Sequence, residues 1–539
     1  MRKIINFLCV FSLLASHLHA QVFSNLSFKA QNIQLTQLEI HGNYDQFGIT
    51  KIKYGIVDPL PLDANTTVVN GTKFIKLQNL LPATTYKVEF QTNSGSVVGK
   101  GYYSTAANSK GEIRVYFNHR IDASFQTSNN QPNGTEGSFI VDEVITLINN
   151  AKTSIEVCLY NNDRTNLVSA LRNAKSRGLK VRYIADDETA NSALSPTPNF
   201  PVLEVNADGL MHNKFIVIDA DSDTTSWVIG GSMNFTTGNI YSDFNNTIFV
   251  QDKSLARNYR TEFEEMWGGT AATPNLATSK SGNDKQDNTA HQFNIKGVPL
   301  EQFFSPSDNL TANIVQTIKT ANHDLRFALL TFTKSEIATE ILNRHLAGVE
   351  IKGICDNSSD PGSQINGLIS NGVNVLVHTP SNQIHHKYAV IDAQDITSDP
   401  IVLTGSHNWT NAAEFNNDEN TMIWHSPRIA NLFLQEFEGR WCEMTVPNCI
   451  LANRDVELPE NALAIFPNPT DGLLNFHWTL SDREPISLSL FDLQGRLLKS
   501  VTNIYPPLPA WSVDHLPQGT YFIKAQQGFG FIVKKFQVF

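Results

Sequence analysis

The stretch HNKFIVID at residues 212–219 returns, with the same spacing of its polar residues, as HHKYAVID at residues 385–392. Each copy sets a histidine, a lysine and an aspartate around an apolar run that is typical of a short strand. A Gly-Ser-x-Asn stretch follows each copy, GSMN at residues 231–234 and GSHN at residues 405–408. Two copies of one polar cluster predict two related halves that bring two imidazoles to one site.

The sequence around each copy alternates between strand-like and helix-like segments. Residues 154–160 and 181–185 are strand-like apolar runs, and Leu167 and Leu171 keep helical spacing between them. The same order returns within residues 314–355. This alternation predicts an α/β core of two pseudo-twofold halves, with mixed, largely parallel sheets that helices cover.

The segment before this core is predicted to be a β-sandwich. Tyr86, Val88 and Phe90 alternate with charged residues, as on a half-buried strand. The stretch LLPATTY at residues 80–86 resembles the turn before a late strand of fibronectin type III domains, in which a tyrosine ties the strand to that turn. The resemblance implies a fibronectin type III-like N-terminal sandwich.

The last region is also predicted to be a small β-sandwich, because short strands alternate with Pro and Gly turns. It contains FPNPT at residues 466–470, SLSLFDLQGR at residues 487–496 and LPQGTY at residues 516–521. This ordered set resembles the C-terminal sorting domain of type IX secretion cargo in Bacteroidetes. The resemblance implies that the type IX machinery exports the protein to the cell surface or the exterior and that this domain is removed on the way.

The first residues are typical of a secretory signal peptide. Arg2 and Lys3 precede an apolar run that ends at Leu14, and Ala20 offers a cleavage site. The polar stretch after the first half predicts a linker. We therefore expect, in chain order, a signal peptide at 1–20, the fibronectin type III-like sandwich at 21–106, the first half at 107–268, the linker at 269–300, the second half at 301–452 and the sorting domain at 453–539.

Composition and charge narrow the functions. The net charge of −11 disfavours long-range attraction to DNA. Apart from the signal peptide, no stretch is long and apolar enough to span a membrane, so any membrane contact is expected to be peripheral. We also expect a monomer. Cys442 and Cys449 are predicted to form a disulfide in an oxidising compartment, and no cysteine spacing predicts a metal site.

The paired His-x-Lys-x4-Asp and Gly-Ser-x-Asn clusters resemble the phospholipase D superfamily over most of residues 112–441. A phosphodiester needs cations, a nucleophile and a proton donor, because its negative oxygens repel attack. The resemblance implies a phosphodiesterase without metal or cofactor, in which one histidine forms a phosphohistidine and the other transfers protons. It marks as catalytic His212, Lys214, Asp219, His385, Lys387 and Asp392, and as substrate contacts Ser232, Asn234, Ser406, Asn408 and Glu419.

Strand geometry supports parts of this assignment. Side chains two residues apart on a strand share a side, so His212 can act together with Lys214, and the second copy can do the same. The lysines can then hold the non-bridging oxygens. Asp219 and Asp392 end their strands, so a structural role explains them as well as direct chemistry. His386 and His407 are expected to be neighbours of the site rather than catalysts.

The halves differ in the segment that follows each Gly-Ser-x-Asn stretch. Family members often place a carboxylate there, which holds the second nitrogen of a histidine. Glu419 fits that position in the second half, whereas Asn245 replaces the carboxylate in the first. A carboxylate partner stabilises imidazolium. The residues therefore leave open which imidazole attacks, while the resemblance favours His212 as nucleophile and His385 as acid.

Three functions agree with the sequence. The first is a secreted phospholipase D that cleaves or exchanges lipid headgroups, which the acidic charge and the lack of a basic run favour over a DNA-directed enzyme. The second is a secreted metal-independent nuclease with the same machinery. The third is a surface adhesion protein with a vestigial catalytic fold, which the complete duplicated motif disfavours. A membrane-anchored lipid synthase is disfavoured because no spanning helix is predicted.

Overall fold

The chain divides into two compact units, of which residues 450–539, together with 122–124, form the smaller. The computed structural model describes residues 28–69, 71–127, 130–205, 209–447, 449, 456–480, 485–527 and 530–539. The predicted signal peptide therefore lies outside the described residues. None of the helices in these ranges combines the length and the apolar character that crossing a bilayer requires.

The N-terminal region of the larger unit consists of seven antiparallel strands. Their bounds are β1 Lys29–Gln31, β2 Gln37–His41, β3 Ile49–Gly55, β4 Leu62–Val69, β5 Thr72–Gln78, β6 Thr85–Thr92 and β7 Val97–Ser104. The first part of β4 pairs with β3 and its last part pairs with β5. The Tyr86 hydroxyl accepts a hydrogen bond from the Leu81 backbone N–H at 2.8 Å, which is the predicted tie between strand and turn. Membership of the fibronectin type III family stays a prediction.

The first half contains a seven-stranded sheet and four α-helices. Its strands are β8 Ile113–Phe117, β9 Ser154–Leu159, β10 Lys180–Asp186, β11 Val202–Val205, β12 Lys214–Ile218, β13 Trp227–Gly231 and β14 Asn246–Val250, in the order β11-β10-β9-β12-β13-β14-β8. Its helices are α1 Gly137–Asn150, α2 Thr165–Ser176, α3 Thr237–Tyr241 and α4 Lys253–Trp267. Short 3₁₀ helices cover Ala123–Phe125, Ser192–Leu194 and Gly282–Asp284.

The second half repeats this plan with one more strand and one more helix. Its strands are β15 Gln292–Ile295, β16 Val298–Ser305, β17 Asp324–Leu329, β18 Glu350–Cys355, β19 Asn374–Val377, β20 Lys387–Ile391, β21 Ile401–Gly405 and β22 Glu419–His425. They lie in the order β15-β16-β22-β21-β20-β17-β18-β19. Its helices are α5 Leu310–Ile318, α6 Ser335–Leu346, α7 Ile365–Ser370, α8 Asn411–Phe415 and α9 Pro427–Thr445.

Parallel pairing is confined to three neighbouring strands in each half, β9, β10 and β11 in the first and β17, β18 and β19 in the second. The other pairs are antiparallel, because β12 and β20 run against β9 and β17 and the strands after them return by short connections. Mixed sheets with covering helices are therefore confirmed, but the prediction that parallel pairing dominates is wrong.

This topology brings the starts of β12 and β20 to one edge of each sheet. Lys214 pairs with Leu159 at the end of β9, and Lys387 pairs with Leu329 at the end of β17. The connections that follow the parallel strands begin at the same edge. We call the edge on which His212 and His385 lie the histidine edge.

A large hydrophobic core joins the two halves. It contains Tyr259 and Trp267 from α4 and Phe433 from α9, all fully buried. The ring of Phe117 in β8 lies 5.1 Å from that of Phe433, so the first strand of one half packs on the last helix of the other. Because this shared apolar surface is removed from water, the two histidine-bearing strands are fixed relative to each other.

The polar stretch at residues 269–300 is not a loose linker, which corrects the prediction. β15 lies within it, and the buried Lys285 ammonium pairs with Glu262 of α4 and lies 3.1 Å from Asp418 Oδ1. Its Nζ also donates to Ser305 O at 2.7 Å. A buried ammonium needs such partners, so polar composition here serves the interior as well as the surface.

The N-terminal strands attach to the edge opposite the histidines. Arg257 Nη1 donates to Ala83 O at 2.6 Å, and Ser254 Oγ donates to Thr105 O at 2.7 Å. Both donors lie at the start of α4, which follows the end of β14. Because β14 runs away from the histidine edge, this attachment leaves that edge uncovered by the N-terminal region.

The two long helices end differently. α4 stops at Gly268, whose φ of 82° forms a left-handed cap. α9 continues beyond the matching Trp441, and Cys442 in its last turn forms a disulfide with Cys449, with a Cα–Cα distance of 5.8 Å. The predicted disulfide is therefore present.

The smaller unit consists of two β-sheets around one core. Its strands are β23 Val456–Glu457, β24 Leu463–Phe466, β25 Leu473–Trp478, β26 Ile486–Phe491, β27 Leu497–Ile504, β28 Trp511–Ser512, β29 Gly519–Gln527 and β30 Gly530–Val538. One sheet has the order β23-β30-β29-β26-β27 and the other β24-β25-β28. Leu474, Trp511, Ile523 and Phe536 are buried in the shared core, which confirms a β-rich C-terminal region.

Candidate active site

The four repeated cationic or imidazole side chains are all buried at the histidine edge. His212, Lys214, His385 and Lys387 are between 1% and 7% exposed. Lys214 Nζ donates to His212 O at 2.7 Å, and Lys387 Nζ donates to His385 O at 2.8 Å. Each ammonium is thus held beside the imidazole of its own motif, as the period of a strand predicts.

Each imidazole takes its partner from the opposite half. His212 Nδ1 lies 2.8 Å from Glu419 Oε2, and His385 Nδ1 lies 2.8 Å from Asn245 Oδ1. Asn245 directly precedes β14 and Glu419 is the first residue of β22, so each partner reaches the motif of the other half from the start of a strand. The sequence identifies both partner positions but not this exchange between halves.

A second pair of contacts crosses beneath the first. Asn420 Nδ2 donates to Asn213 Oδ1 at 2.7 Å, and Asn246 Nδ2 lies 3.0 Å from His386 Nδ1. His386 Nε2 lies 3.1 Å from Glu436 Oε1, so the ring is held between this carboxylate and the Asn246 amide. His386 is therefore a neighbour of the site, as expected.

The Gly-Ser pairs hold the crossing segments in place. A Cβ on Gly231 would lie 2.3 Å from Asn246 O, and one on Gly405 would lie 2.1 Å from Asn420 O, so only glycine fits. Ser232 Oγ accepts from the Asn246 N–H at 3.0 Å, and Ser406 Oγ makes the same contact with the Asn420 N–H at 3.1 Å.

These contacts correct part of the predicted set of substrate contacts. Ser232, Ser406 and Glu419 are fully buried, and their polar atoms bind backbone or the imidazole partner. They position the site and do not line its open side. Substrate contact by Asn234 and Asn408 stays a prediction; the Oδ1 of each is buried without a hydrogen-bond partner among the described residues.

The two aspartates of the motifs lie far from the imidazoles, at the other ends of β12 and β20. Asp219 accepts backbone N–H bonds from Lys152, Thr153 and Ser154 at 2.7–3.1 Å. Asp392 repeats this pattern at the turn before β17. Their place among the catalytic residues is therefore corrected: both carboxylates fasten a helix-to-strand turn.

Tyr160 is a residue of the site that the sequence analysis missed. The centroid of its half-buried ring lies 4.7 Å from the centroid of the His212 ring and 4.9 Å from Lys214 Nζ. It follows β9, the neighbour of β12. Its position directly after β9 could have indicated that it lies near His212. That inference requires knowing that β9 and β12 are neighbours in the sheet, which the sequence does not show.

Burial is the largest influence on the basic groups of the site, and it disfavours their charged forms. Burial lowers the pKa of His212 to about 4, although the Glu419 carboxylate acts in the opposite direction. Burial also lowers the pKa of Lys387 to about 7 and that of Lys214 well below its ordinary value. Burial would raise the pKa of Glu419, but the His212 ring beside it holds the value below the ordinary one.

His385 differs from His212 in having no carboxylate partner. Burial, followed by the charges of Lys387 and Lys214, lowers its pKa well below the usual value. The charges of both lysines also act on His212. The two lysines therefore act electrostatically on both imidazoles. An anion that binds here would offset the repulsion among these groups when they are charged.

One group of side chains outside this site has the ligand spacing of a metal centre. The ligand atoms of Asp287, His291 and Asp308 lie within 4.8 Å of one another. Burial acts to lower the pKa of His291, but the two carboxylates outweigh it and raise this pKa to about 10. Its Nδ1 and Nε2 both face acceptors, Gln302 O and Asp287 Oδ1, each at 3.0 Å. A protonated ring offers no lone pair to a metal, so this group is an ion-pair cluster.

Comparisons with known proteins match both halves and the C-terminal region. The family described as "Cardiolipin synthase, PLD-like domain" matches residues 144–267 and 314–441. The family described as "Secretion system C-terminal sorting domain" matches residues 464–538. The second match confirms the predicted export by type IX secretion to the cell surface or the exterior.

Two curated relatives and one solved structure match a length equal to about one half of the duplicated core. Mitochondrial cardiolipin hydrolase from Xenopus tropicalis is 35% identical over 150 residues, which cover 27% of this chain and 69% of the relative. The protein of the same name from Homo sapiens is 29% identical over 136 residues, which cover 25% and 52%. The crystal structure of a phospholipase D family member, Nuc from Salmonella typhimurium, has 26% identity, covers 26% of this chain and 93% of that chain, and has a TM-score of 0.24.

Proposed function

Because the chain belongs to the phospholipase D-like family, we propose that it is an exported phosphodiesterase that cleaves phospholipid headgroups through a covalent phosphohistidine. The observation that supports this best is the composition of the site. Two lysines and two imidazoles are buried together, and Glu419 is the carboxylate that contacts one of the imidazoles. A cluster of basic groups whose charged forms an anion would stabilise suits an anionic ester rather than a cationic substrate.

His212 is the proposed nucleophile. Glu419 accepts a hydrogen bond from Nδ1–H. This leaves the lone pair of Nε2 free to attack phosphorus and makes the ring more basic. Nε2 bonds to phosphorus while the bond from phosphorus to the headgroup oxygen breaks. The carboxylate then stabilises the positive charge on the phosphorylated ring.

His385 is the proposed general acid and base. It gives its Nε2 proton to the departing headgroup oxygen and then takes a proton from water, whose oxygen bonds to phosphorus while the bond to His212 breaks. Asn245 accepts from Nδ1 but carries no charge, so it stabilises imidazolium less than Glu419 would. A ring that holds its proton less firmly is the better donor.

Lys214 and Lys387 are proposed to hold the non-bridging oxygens. Their ammonium groups are buried and already oriented by the histidine carbonyls, so little reorganisation precedes binding. Burial lowers the pKa of both groups in the empty site, and the negative phosphodiester would raise it again. Substrate binding and protonation of the lysines would therefore support each other.

Two observations favour a lipid substrate. The matched relatives are described as hydrolases of cardiolipin, which is a phosphodiester lipid. In this chain, Asp187 and Glu188 are exposed after β10 at the histidine edge. Carboxylates at the mouth of the site repel a long polyanion more than they repel a single lipid diester.

The test compares substrates side by side. Purified protein with EDTA is incubated with phosphatidylcholine, phosphatidylethanolamine and cardiolipin vesicles, and separately with plasmid and single-stranded DNA, with His212→Ala as the matched control. We expect only the unaltered protein to form phosphatidic acid, with choline released from phosphatidylcholine, ethanolamine from phosphatidylethanolamine, or phosphatidylglycerol from cardiolipin. Nicking of DNA without lipid cleavage would replace the lipid proposal with a nuclease.

A further inference from the structure

Two exposed aromatic side chains stand at equivalent places in the two halves. Tyr241 ends α3 and is 55% exposed, and Phe415 ends α8 and is 54% exposed. Tyr241 precedes Asn245 by the same distance along the chain as Phe415 precedes Glu419. The repeat has therefore placed one uncovered ring just before each imidazole partner.

Both rings lie at the histidine edge, one on each side of the site. Next to Tyr241, Ser242 O accepts from Asn382 Nδ2 at 3.2 Å, three residues before His385. Next to Phe415, the Asn416 backbone lies against Gly209, three residues before His212, so closely that a Cβ on Gly209 would lie 2.4 Å from Asn416 O. Each short helix thus borders the segment that leads to the histidine of the other half.

The helices that present these rings are braced. For α3, Asp163 Oδ2 accepts from the Thr237 N–H at 2.8 Å, and Arg164 donates to the Thr237 hydroxyl. For α8, Lys334 Nζ donates to Asn411 Oδ1 at 3.0 Å and lies 4.8 Å from the Phe415 ring centroid. The rings are therefore held on ordered supports, which lowers the entropy lost when a surface binds them.

The surroundings favour a lipid surface over a nucleic acid. Aromatic rings are at home at the boundary between headgroups and acyl chains, where an apolar face and a polar edge are both satisfied. The exposed Asp187 and Glu188 lie on the same edge, and the chain has a net charge of −11. A polyanion would meet repulsion there, whereas a zwitterionic bilayer would not. The N-terminal strands attach at the opposite edge and leave this one accessible.

We propose that Tyr241 and Phe415 are a two-point anchor that enters the headgroup region of a zwitterionic phospholipid surface and sets the site against it. The inference deepens the proposed lipid hydrolysis and rests on it for its purpose. It accounts for the equivalent placement of the two exposed rings, one in each half, beside the buried polar site. A single lipid molecule drawn partly from the bilayer would then reach the imidazoles between the two rings.

The test measures binding without turnover. His212→Ala protein, with and without Tyr241→Ser and Phe415→Ser, is sedimented with vesicles of phosphatidylcholine and phosphatidylethanolamine. The double change should lower partitioning at least about tenfold, because two half-exposed rings lose their apolar contact with the bilayer. Leu346→Ser with Ile396→Ser is the matched control, since these side chains are 75% and 73% exposed at the opposite edge. It should leave partitioning unchanged.

Three outcomes would overturn the anchor: no sedimentation of the parent protein, equal partitioning of the anchor and control variants, or binding to single-stranded oligothymidylate that only the anchor variant loses. The last result would make the rings a platform for bases. Binding is measured in a variant without the proposed nucleophile. Vesicle binding that depends on the rings, in a protein that cleaves no lipid, would therefore contradict the proposed function alone. Lipid cleavage by the unaltered protein with no role for the rings would contradict the anchor alone.

Discussion

The two halves place their imidazoles alike and give them different partners. His212 meets the carboxylate of Glu419 and His385 meets the amide of Asn245, both at 2.8 Å. The lysine contacts, the Gly-Ser contacts and the turns fastened by aspartate are otherwise repeated. Duplication thus conserves geometry within this chain while a single side chain on each side changes the basicity of the ring. The difference teaches that the halves are suited to unequal chemical tasks.

The largest effects should come from removing each imidazole. His212→Ala and His385→Ala should each lower lipid turnover about ten-thousand-fold. With a phosphodiester whose leaving group is p-nitrophenolate, which needs no acid, only His385→Ala should still form the phosphohistidine. The adduct should accumulate, because the base that activates water is missing, and intact-protein mass spectrometry would detect it.

The same measurement can reverse the assignment. An adduct on His385 in the His212→Ala protein would exchange the two roles. No adduct in either variant, with p-nitrophenolate released in a slow steady state, would argue against a covalent path.

Exchanging the partners should have the next largest effect. Glu419→Gln should lower kcat about a hundredfold or more, because a neutral partner no longer stabilises the positive ring. Asn245→Asp should change kcat less than about tenfold but should raise the pKa of His385 and shift the pH optimum upward. The pH profile of kcat/KM for both variants would check this, and equal losses without a shift would mean that the two partners are equivalent.

The lysines allow a pH test of the electrostatics. The pKa of Lys387 is about 7, and the group is charged below that value, so kcat/KM should fall as pH rises through it. Lys387→Ala should lower kcat/KM about a hundredfold and remove that alkaline limb. A limb of unchanged position in the variant would assign it to another group.

The smallest expected effect is on stability. It concerns a buried position that is histidine in one half and methionine in the other. His407 is 1% exposed, its Nε2 lies 3.7 Å from Glu414 Oε2, and neither ring nitrogen has a hydrogen-bond partner among the described residues. Met233 occupies the equivalent place in the first half. His407→Met should stabilise the protein by about 1 kcal/mol, because an unsatisfied polar ring is replaced by an apolar side chain of similar size. Thermal unfolding should shift up by about 2 °C. Met233→His, the mirror change, should destabilise.

Local patterns in the sequence predicted the elements well. The strands predicted at residues 154–160 and 181–185 are observed as Ser154–Leu159 and Lys180–Asp186, and the helix predicted from Leu167 and Leu171 is observed as Thr165–Ser176. Periodicity was sufficient there because each segment buries one face or both. The repeated spacing also predicted that the histidine and lysine pairs share a site, since two equivalent apolar strands had to occupy equivalent positions.

The remaining errors concern contacts between distant segments. Nothing in the spacing of Glu419 shows that it reaches His212 rather than His385, because the crossing of β14 and β22 depends on how the halves pack. Asp219 shares a motif with His212, yet a five-residue strand separates their environments. The polar stretch at residues 269–300 was predicted to be a linker because composition does not show that Lys285 is buried against Glu262.

The crossing of the imidazole partners has a further consequence for how such a site can evolve. In a pair of identical subunits, one codon would specify the partner of both rings, and any substitution would alter both at once. Here the partners are encoded separately, at Asn245 and at Glu419. Fusion of the copies therefore permits each ring to be tuned alone, and specialisation becomes accessible by one mutation.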